Sequence, residues 1–423
     1  MLKPEVKEAF EAILRDELIM ATGCTEPIAI AYCAAKMHAT LGEKPNKILA
    51  EVSGNILKNA KSVVVPNTGG MKGVEAAVAV GVVAGKADQQ LQVISDVPES
   101  VHPEIKAFMD QVPITVSCPV TPWMLDIKIT GWAGSHSAAV HIIDSHTNIV
   151  YIEKDGQVLF QKEMSLATEE GGSNKDLLTL ENVLTFARET ELDEVIPLLD
   201  RQIECNTAIA EEGLKNKWGA NIGAVLMDNY GDDIKTEAKA WAAAGSDARM
   251  SGCEMPVVIV SGSGNQGMTA SLPVIRYAKH LGADQETLYR ALLVSNLVTI
   301  YQKAGIGRLS AYCGAISAGV GAGAGIAFLH GSDDQTIAQT IVNAVAMISG
   351  TICDGAKPSC AAKIAAGVDA GILGYQMYLN GQNFVGGDGI VGENVQDTIA
   401  NVGVLAREGM LETDRTILKI MTQ

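Results

Sequence analysis

The spacing of hydrophobic positions changes twice along the chain, near residue 46 and again near residue 178. Over residues 1–41, apolar side chains such as Phe10, Ile13 and Leu14 recur at helical intervals, and only the segment 23–27 interrupts them. From about 46 to 160, short apolar runs separated by Gly, Pro and Asn predict β-strands, with one Ala/Val/Gly-rich helix near 71–84. The predicted strands are 47–52, 62–65, 92–95, 115–116, 125–130, 139–143 and 149–153.

After about residue 178 nearly every segment has helical periodicity. The predicted helices are 179–190, 193–214, 234–249, 269–281, 285–303, 311–330, 334–349 and 359–379. The polar stretch 161–178 before them predicts a linker or mobile loop, centred on residues 169–175. The pattern therefore predicts an α+β fold: an N-terminal α+β domain over 1–175, whose first helical segment carries Cys24, followed by an all-α, Gly/Ala-rich helical domain over 176–423.

Composition adds how this core must be packed. Of the 423 residues, 47% are hydrophobic but only 4% are aromatic, and 43 are glycine. The core is therefore expected to consist of Ala, Gly, Val and Ile on closely approaching backbones. The almost uncharged stretch 311–329 is mostly Ala and Gly, so its transfer into lipid would be weak, and we expect a buried helix there rather than a membrane span.

Charge and cysteine usage restrict the function classes. The 32 Lys and Arg residues against 49 Asp and Glu give a net charge of −17, and no block of basic residues occurs. Neither a nucleic acid nor an anionic membrane is expected as a partner, because both need clustered cations. No export signal is recognisable at the start of the sequence, so the eight cysteines are expected to be reduced thiols in a cytoplasmic protein. The Gly/Ala faces leave a homodimer open.

Three cysteines stand apart from the rest. Cys353 and Cys360 fall on a Gly- and Pro-containing loop, and Cys313 begins the Ala/Gly helix, where a helix N-terminus favours the thiolate. Without a Cys-x-x-Cys pair they match neither a zinc ribbon nor a ferredoxin. They are compatible with a site of three protein ligands and one open position, or with buried structural thiols. The other cysteines that we expect in the core are Cys33, Cys118, Cys205 and Cys253.

A second candidate site lies in the segment Ser261–Gly267, between the apolar run Val257–Val260 and a helix predicted to begin near Met268. Its backbone N–H groups offer a nest for a carboxylate or phosphate. The spacing Gly262-x-Gly264-x-x-Gly267 also satisfies a dinucleotide pattern. Because no βαβ units surround it and no strand with a terminal acidic residue follows, a small anion or a substrate carboxylate is the favoured ligand.

Taken together, five motifs resemble the L-cysteine desulfidase family, which is related to the iron–sulfur L-serine dehydratases. The resemblance spans essentially the whole chain, and the C-terminal half corresponds to the serine dehydratase α-chain. The motifs are Gly23-Cys24-Thr25-Glu26-Pro27, Val65-Pro66-Asn67-Thr68-Gly69, Ser261-Gly262-Ser263-Gly264-Asn265-Gln266-Gly267, Tyr312-Cys313-Gly314 and Cys353-Asp354-Gly355-Ala356-Lys357-Pro358-Ser359-Cys360.

The resemblance implies a 4Fe-4S cluster held by Cys313, Cys353 and Cys360, with the fourth iron position open to substrate or occupied at rest by Cys24. It also implies β-elimination of L-cysteine to pyruvate, ammonia and hydrogen sulfide, or of L-serine to pyruvate and ammonia. Iron would act as a Lewis acid on the leaving group. Unlike the serine dehydratases, this sequence has no C-terminal cysteine, which strengthens Cys24 as the fourth ligand.

The same resemblance assigns the remaining roles. Cys24 is the candidate base for the Cα proton, since the preceding glycine and the helix break are expected to expose it and lower its pKa. The substrate carboxylate is expected at Ser263, Gly264 and Asn265, with Asn67 as a second anchor.

Two other classes of protein remain open from sequence. One is a pyridoxal-phosphate lyase with Lys357 or Lys303 as the Schiff base, although neither lysine has a convincing cofactor context. The other is a non-enzymatic protein that binds a small anion at the Gly-rich nest and uses its cysteines for packing only.

Overall fold

The computed structural model describes residues 2–162, 174–307 and 310–422. Most of the predicted linker, residues 163–173, lies outside the described residues. The N-terminal elements are Pro4–Glu17 (α1), Met20–Thr22 (β1), Thr25–Leu41 (α2), Lys47–Val52 (β2), Gly54–Ala60 (α3), Gly73–Ala84 (α4), His102–Gln111 (α5), Ile114–Ser117 (β3), Asp126–Ala133 (β4), His136–Ile143 (β5), Ile149–Lys154 (β6) and Gln157–Gln161 (β7).

The second half of the described chain is almost entirely helical. Its elements are Leu180–Glu189 (α6), Ile196–Lys215 (α7), Ile222–Tyr230 (α8), Ile234–Met250 (α9), Pro256–Val258 (β8), Gly264–Leu281 (α10), Gln285–Ile306 (α11), Gly314–Leu329 (α12), Asp334–Ile348 (α13), Ser359–Leu379 (α14), Val395–Val404 (α15), the π-helical turn Leu405–Gly409, and Leu411–Thr422 (α16). The α+β fold class, with a helical domain following an α+β domain, is confirmed.

The N-terminal half is built on a mixed sheet of strand order β3-β2-β4-β5-β6-β7. Strand β2 pairs parallel with β3, and the other neighbours pair antiparallel. Along β4 buried positions alternate strictly with half-buried ones, as expected when one face of a sheet is covered. Helix α2 covers that face against β4 and β5, and α4 packs on α2.

Helix α12 is the centre of the helical half, surrounded by α10, α11, α13 and α14. From Ala315 to Ala327 every one of its residues is buried, so the prediction of a buried Ala/Gly helix is confirmed. Its glycines allow backbone contact: a Cβ on Gly319 would lie 2.3 Å from the carbonyl carbon of Gly367 in α14. Across the described parts of the chain, no helix combines the length and apolarity that a membrane crossing requires.

The two halves share one continuous hydrophobic core. Strand β1 pairs antiparallel with β8, so that Met20 lies opposite Val258. Helix α16 returns to α3, where Lys58 and Asp414 form a buried ion pair of 2.5 Å. The boundary between residues 175 and 176 therefore stays a prediction about sequence organisation, since elements on either side of it pack together.

Some predicted elements were wrong. The segments 62–65 and 92–95 are not strands: Val63 and Val65 are buried in a turn-rich segment, and Gln90–Gln92 is a short 3-10 helix. Both are apolar runs whose burial comes from loop packing, which periodicity cannot distinguish from a strand. Helix α10 begins at Gly264 rather than near Met268. The low helix propensity of its Gly-rich first turn hid this start from the sequence pattern. In the structure Gly264, Gln266 and Gly267 of that turn are buried.

Candidate active site

A cavity of about 100 Å³ lies where the two halves meet. Larger ligands occupy pockets of roughly 300–1,000 Å³, so this volume suits a small metabolite rather than a dinucleotide. The cavity is lined by Cys24, Thr25, Glu26, Asn59, His146, Arg249, Met250, Ser261, Gly262, Ser263, Asn265, Gln266, Lys303, Ser310, Tyr312, Cys313, Gly314, Ala315, Cys353, Gly355, Ala356 and Cys360.

Four helices begin at the cavity wall: α2, α10, α12 and α14. Their N-cap residues are Cys24, Ser263, Cys313 and Pro358, and none of these four makes a side-chain capping hydrogen bond. The N-terminus of each helix carries roughly half a positive charge. Together the four ends make the cavity favourable for a negatively charged ligand or group.

Two short segments bring the predicted thiol ligands together. Tyr312 and Ile352 form an isolated antiparallel bridge, so that the N–H of Cys313 donates to Thr351 O (3.0 Å) and the N–H of Cys353 donates to Ala311 O (2.6 Å). Cys360 follows in the first turn of α14. The three thiols, separated by up to 47 positions in sequence, line the same small cavity.

Ion pairs and a hydrogen bond fix the loop that carries Cys353 and Cys360. Asp354 pairs with Lys357 and, at 2.5 Å, with Lys363 of α14. Lys363 also donates to Ile352 O at 2.8 Å. Gly355, in the left-handed region with φ +94°, packs so closely that a Cβ there would lie 2.3 Å from Lys58 O. A side chain at this position is therefore excluded by both conformation and space.

The Cys24 loop is held against the Ser261–Gly262–Ser263 loop. Thr25 Oγ1 donates to Gly262 O at 2.9 Å, next to the β1–β8 strand pair. The Cys24 thiol donates to Glu26 Oε2 at 3.0 Å, and Asn59 Nδ2 donates to Glu26 Oε1 at 3.0 Å. The buried Glu26 carboxylate is therefore the proton acceptor nearest to Cys24.

Burial reverses the expected electrostatics of the thiols. Cys24 is only 3% exposed; burial, together with the Glu26 charge, raises the pKa of its thiol well above the ordinary value, although Arg249 opposes this. Burial and the neighbouring Cys353 raise the pKa of Cys313 to about 12, and burial raises the pKa of Cys360. The predictions that Cys24 is exposed with a lowered pKa, and that its helix end makes Cys313 a ready thiolate, were wrong: desolvation outweighs the helix dipole.

A buried guanidinium completes the wall. Arg249, at the end of α9, is 2% exposed; its Nε donates to Gly23 O (2.9 Å) and its Nη1 to Asn265 Oδ1 (3.1 Å). A Cβ on Gly264 would lie 2.4 Å from Arg249 Nε. Gly264 does not itself line the cavity, but its missing side chain leaves the space that the guanidinium fills.

The predicted site residues fall into two groups. Ser263, Asn265 and the four cysteines 24, 313, 353 and 360 line the cavity. Asn67 does not: its amide donates to Ile94 O (2.7 Å) and Ser95 O (3.2 Å). Its neighbour Pro66 packs beneath Gly23, where a Cβ would be 2.1 Å from Pro66 Cγ. The motif containing Asn67 thus supports the Cys24 loop from behind.

The remaining cysteines mostly have the expected place in the core. Cys33 and Cys253 are buried and Cys205 is half-buried, but Cys118 is exposed after the end of β3. The expectation that Cys118 is a core residue was wrong. It follows a strand at the edge of the sheet, where a small hydrophobe has nothing to pack against.

A second cavity of about 460 Å³ adjoins the first. His146, in the loop between β5 and β6, and Gly262 line both cavities. The other residues lining the second cavity include the charged Asp16, Glu17 and Arg201. These two shared residues therefore lie where the larger cavity meets the thiol-lined one.

The thiols of the cavity bear on the implied cluster. Among the residues that the structure describes, no group of three or more His, Cys, Asp or Glu side chains is arranged to hold a single metal ion. An iron–sulfur cluster spans several bonds, so its thiolates need not converge on one point. The three free thiols of Cys313, Cys353 and Cys360 line one cavity, and thiolates are the ligands that such clusters take, so the chemistry of the donor set fits the implied cluster.

Sequence reasoning missed Arg249, Gln266 and Lys303 as cavity residues. Arg249 had a signal, because it and Asp247 are isolated charges at the end of an Ala-rich helix, and charges are rarely buried without a function. Gln266 lies in the Ser261–Gly267 motif, but the sequence pattern points to the backbone N–H groups of that motif and not to this side chain. For Lys303 the sequence predicts only a Schiff-base candidate.

Comparison with known proteins places the chain in a class. Residues 88–419 match the family model described as the serine dehydratase alpha chain. The chain belongs to this family, and the predicted relationship to serine dehydratases is confirmed. The match begins at residue 88, within the predicted N-terminal domain, and so includes most of the sheet together with the helical half.

Over nearly their whole length, bacterial proteins named UPF0597 protein are similar to this chain. The one from Desulfitobacterium hafniense is 55% identical over 97% of this chain and 95% of its own length. The one from Lachnoclostridium phytofermentans is 51% identical over 97% of this chain and 98% of its own length. The one from Treponema denticola is 44% identical over 98% of this chain and 97% of its own length. The chain is therefore a member of the UPF0597 proteins within the serine dehydratase alpha chain family.

Proposed function

We propose that this protein is an iron–sulfur-dependent β-eliminating lyase that converts L-cysteine to pyruvate, ammonia and hydrogen sulfide. One observation carries the proposal: Cys313, Cys353 and Cys360 line the same small cavity as Cys24 and the first turn of α10. Membership of the serine dehydratase alpha chain family supports the reaction type. It also favours a second candidate, elimination of water from L-serine by the same steps.

In this proposal Cys313, Cys353 and Cys360 hold a 4Fe-4S cluster, since thiolates are the ligands that such clusters take. The cluster, when bound, supplies an iron that acts as a Lewis acid on the β-sulfur or β-hydroxyl group. The four helix N-termini at the cavity stabilise the negative charge of the assembled site.

The chain itself handles the Cα proton. The Cys24 thiol is protonated in the free protein and donates to Glu26 Oε2. Transfer of that proton to the Glu26 carboxylate leaves a thiolate that can take the proton from Cα. The electron pair of the broken Cα–H bond then forms the Cα–Cβ double bond, and the β-substituent leaves with the electrons of its bond to Cβ, as hydrosulfide or hydroxide. The product is 2-aminoacrylate, which takes up water and yields pyruvate and ammonia.

The decisive experiment begins with anaerobic purification and measurement of iron, acid-labile sulfide and charge-transfer absorbance. Pyruvate and sulfide release from L-cysteine is then compared with pyruvate release from L-serine. Single Cys→Ser changes at 313, 353 and 360 are expected to remove both the cluster absorbance and the activity. Cys205→Ser, at a half-buried cysteine outside the cavity, is the matched control and should retain both.

Several results would count against the proposal. A colourless protein that releases sulfide at the full rate would exclude the cluster role. A new covalent lysine adduct after borohydride treatment would favour the pyridoxal-phosphate reaction, for which Lys303 is the lysine that lines the cavity. Retained small-anion binding with no turnover of either amino acid would favour a binding protein. A higher rate on L-serine than on L-cysteine would reassign the substrate within the same class.

A further inference from the structure

Two cavity side chains that have no part in the proposed elimination carry complementary hydrogen-bonding groups that are not fully used. Arg249 is a buried cation, and Gln266 has a buried acceptor oxygen. We propose that they form an α-amino-acid recognition pair, in which Arg249 binds the substrate carboxylate and Gln266 Oε1 accepts from the substrate ammonium. This inference rests on the proposed function, which supplies the substrate class, an α-amino acid. It adds the two residues that would recognise such a substrate.

The case for Arg249 begins with its charge. Its two hydrogen bonds go to neutral oxygens, Gly23 O and Asn265 Oδ1. No carboxylate of the described residues lies within ion-pairing distance of it. Of the five N–H donors of a guanidinium, three remain available. A buried cation without a counter-charge is costly, and the carboxylate of a bound substrate would supply that counter-charge in a bidentate geometry.

The local structure is shaped around this guanidinium. Gly264 leaves room for it, because a Cβ there would lie 2.4 Å from Nε and 2.7 Å from Cζ. Asn265, which follows Gly264 in the first turn of α10, accepts from Nη1 and so fixes the plane of the group. Asn265 is thus a positioning residue in this proposal, acting on the carboxylate through Arg249.

Gln266 supplies the opposite chemistry. Its side chain is 5% exposed and lines the cavity, and its Oε1 has no hydrogen-bond partner among the described residues. Gly314, directly after Cys313, leaves room for the amide: a Cβ there would lie 2.6 Å from Gln266 Cδ. An unpaired buried carbonyl oxygen is unfavourable, and an ammonium group would satisfy it. The amide is therefore held beside the thiol site with a free acceptor.

Together the two groups distinguish an α-amino acid from its fragments. A molecule without the carboxylate leaves Arg249 unpaired, and one without the ammonium leaves Gln266 Oε1 unsatisfied. Sites built to bind a charged or polar group reject analogues that lack it, because the buried partner is then left without its bond. The site should accordingly prefer an intact α-amino acid to either fragment.

The test measures binding without turnover. The full chain, isolated anaerobically, is titrated by ligand-observed NMR with L-alanine, propanoate and ethylamine, none of which has a leaving group. L-alanine is expected to bind at least tenfold more tightly than either fragment, since each fragment lacks one hydrogen-bonded charged group and leaves its buried partner unsatisfied. Arg249→Gln should weaken L-alanine and propanoate at least tenfold and leave ethylamine unchanged. Gln266→Leu should weaken L-alanine and ethylamine and leave propanoate unchanged.

Gln302→Leu is the matched control. Gln302 is 2% exposed and its Oε1 also lacks a partner in the described structure, yet it does not line the cavity. This change should leave all three affinities as they are. If Arg249→Gln does not fold, Arg249→Lys keeps the charge and should still weaken L-alanine and propanoate selectively, because one ammonium cannot replace the bidentate fork.

The inference is overturned if Arg249→Gln or Gln266→Leu weakens all three ligands equally, or none of them. It is also overturned if the unaltered chain binds L-alanine no better than propanoate and ethylamine. The binding results are independent of catalysis. Selective binding without pyruvate formation would contradict the lyase and support the recognition pair. Turnover of L-cysteine by Arg249→Gln with an unchanged KM would support the lyase and contradict the recognition pair.

Discussion

Asp247 is a carboxyl group enclosed inside the helical half. It is fully buried; its Oδ2 accepts from the N–H of Gly223 at 3.1 Å, while its Oδ1 has no partner in the described structure. Burial raises its pKa from 3.8 to about 6. Between these two values the folded protein keeps a proton that the unfolded chain releases. Ionisation of Asp247 therefore lowers the free energy of unfolding as pH rises through this range.

Asp247→Asn should remove that penalty. The variant is expected to become more stable than the unaltered protein as pH rises, with the difference in unfolding free energy growing from pH 4 to pH 6. Above pH 6 it should stay constant, at a value on the order of 2–3 kcal/mol. Urea unfolding at a series of pH values measures it, and Asp110→Asn, at an exposed aspartate, is the control without a pH-dependent gap. A gap that closes as pH rises would contradict the assignment.

At the scale of single residues, the sequence identified thiols better than it identified their environment. Short motifs marked Cys313, Cys353 and Cys360, because their loop and helix-end positions are local properties. The pKa of Cys24 was misjudged, since its burial at 3% exposure depends in part on Met250 at the end of α9, which lies more than 200 residues away. The place of Arg249 in the cavity wall was missed as well, because the local charge pattern does not show that its side chain reaches Gly23, which is distant in sequence.

At the scale of elements, the crossing of α12 and α14 sets the spacing of the thiols. A Cβ on Gly323 would lie 2.7 Å from the Cα of Gly371, so the two backbones touch. Cys313 precedes α12 and Cys360 lies in the first turn of α14. The distance between these two helices is therefore transmitted to the thiols at their N-terminal ends.

Gly323→Ala is expected to separate the helices. The clash is with backbone, which no rotamer change relieves, so the variant should lose about 1–3 kcal/mol of stability. Its iron content after anaerobic reconstitution should fall as well. Gly305→Ala, whose Cβ would meet nothing closer than 3.7 Å, should gain up to about 1 kcal/mol from helix propensity. Equal unfolding midpoints and equal iron content in the two variants would show that the crossing does not set the thiol spacing.

Element type was easier to predict than element limits. The alternation along β4 and the long apolar periods of α11 and α13 determine their structure locally. Short helices such as Gly54–Ala60 and Ile222–Tyr230 were missed, because one or two turns provide too few periods. The strand Met20–Thr22 is three residues long and forms through its pairing with β8. The local sequence pattern therefore does not predict it.

At the scale of the whole molecule, the buried Lys58–Asp414 pair links the N-terminal half of the chain to its last helix. Lys58 has a side chain that is 1% exposed, and the pair joins α3 to α16 across 356 positions of sequence. Lys58→Met or Asp414→Leu alone should cost about 3–5 kcal/mol of unfolding free energy, since each leaves a buried charge without its partner.

The double variant tests the coupling. Combined, Lys58→Met and Asp414→Leu should be closer to the unaltered protein than either single change, because both buried charges are removed together. Urea unfolding of the four proteins gives the coupling energy. Glu412→Gln, at an exposed ion pair with Arg415, should change stability by less than about 1 kcal/mol. Strict additivity of the two buried changes would show that the pair is not coupled.

The pairing of β1 with β8 has a consequence for biosynthesis. A ribosome makes Met20 early, but its partner Val258 is made only after more than half of the chain, and chains fold in the order of their synthesis. The N-terminal sheet can therefore assemble while Cys24 still has no wall opposite it. The Cys24 loop reaches its final place only once Pro256–Val258 has emerged, and the pocket is complete only after Cys360. Insertion of the proposed cluster would therefore have to follow translation of nearly the entire protein.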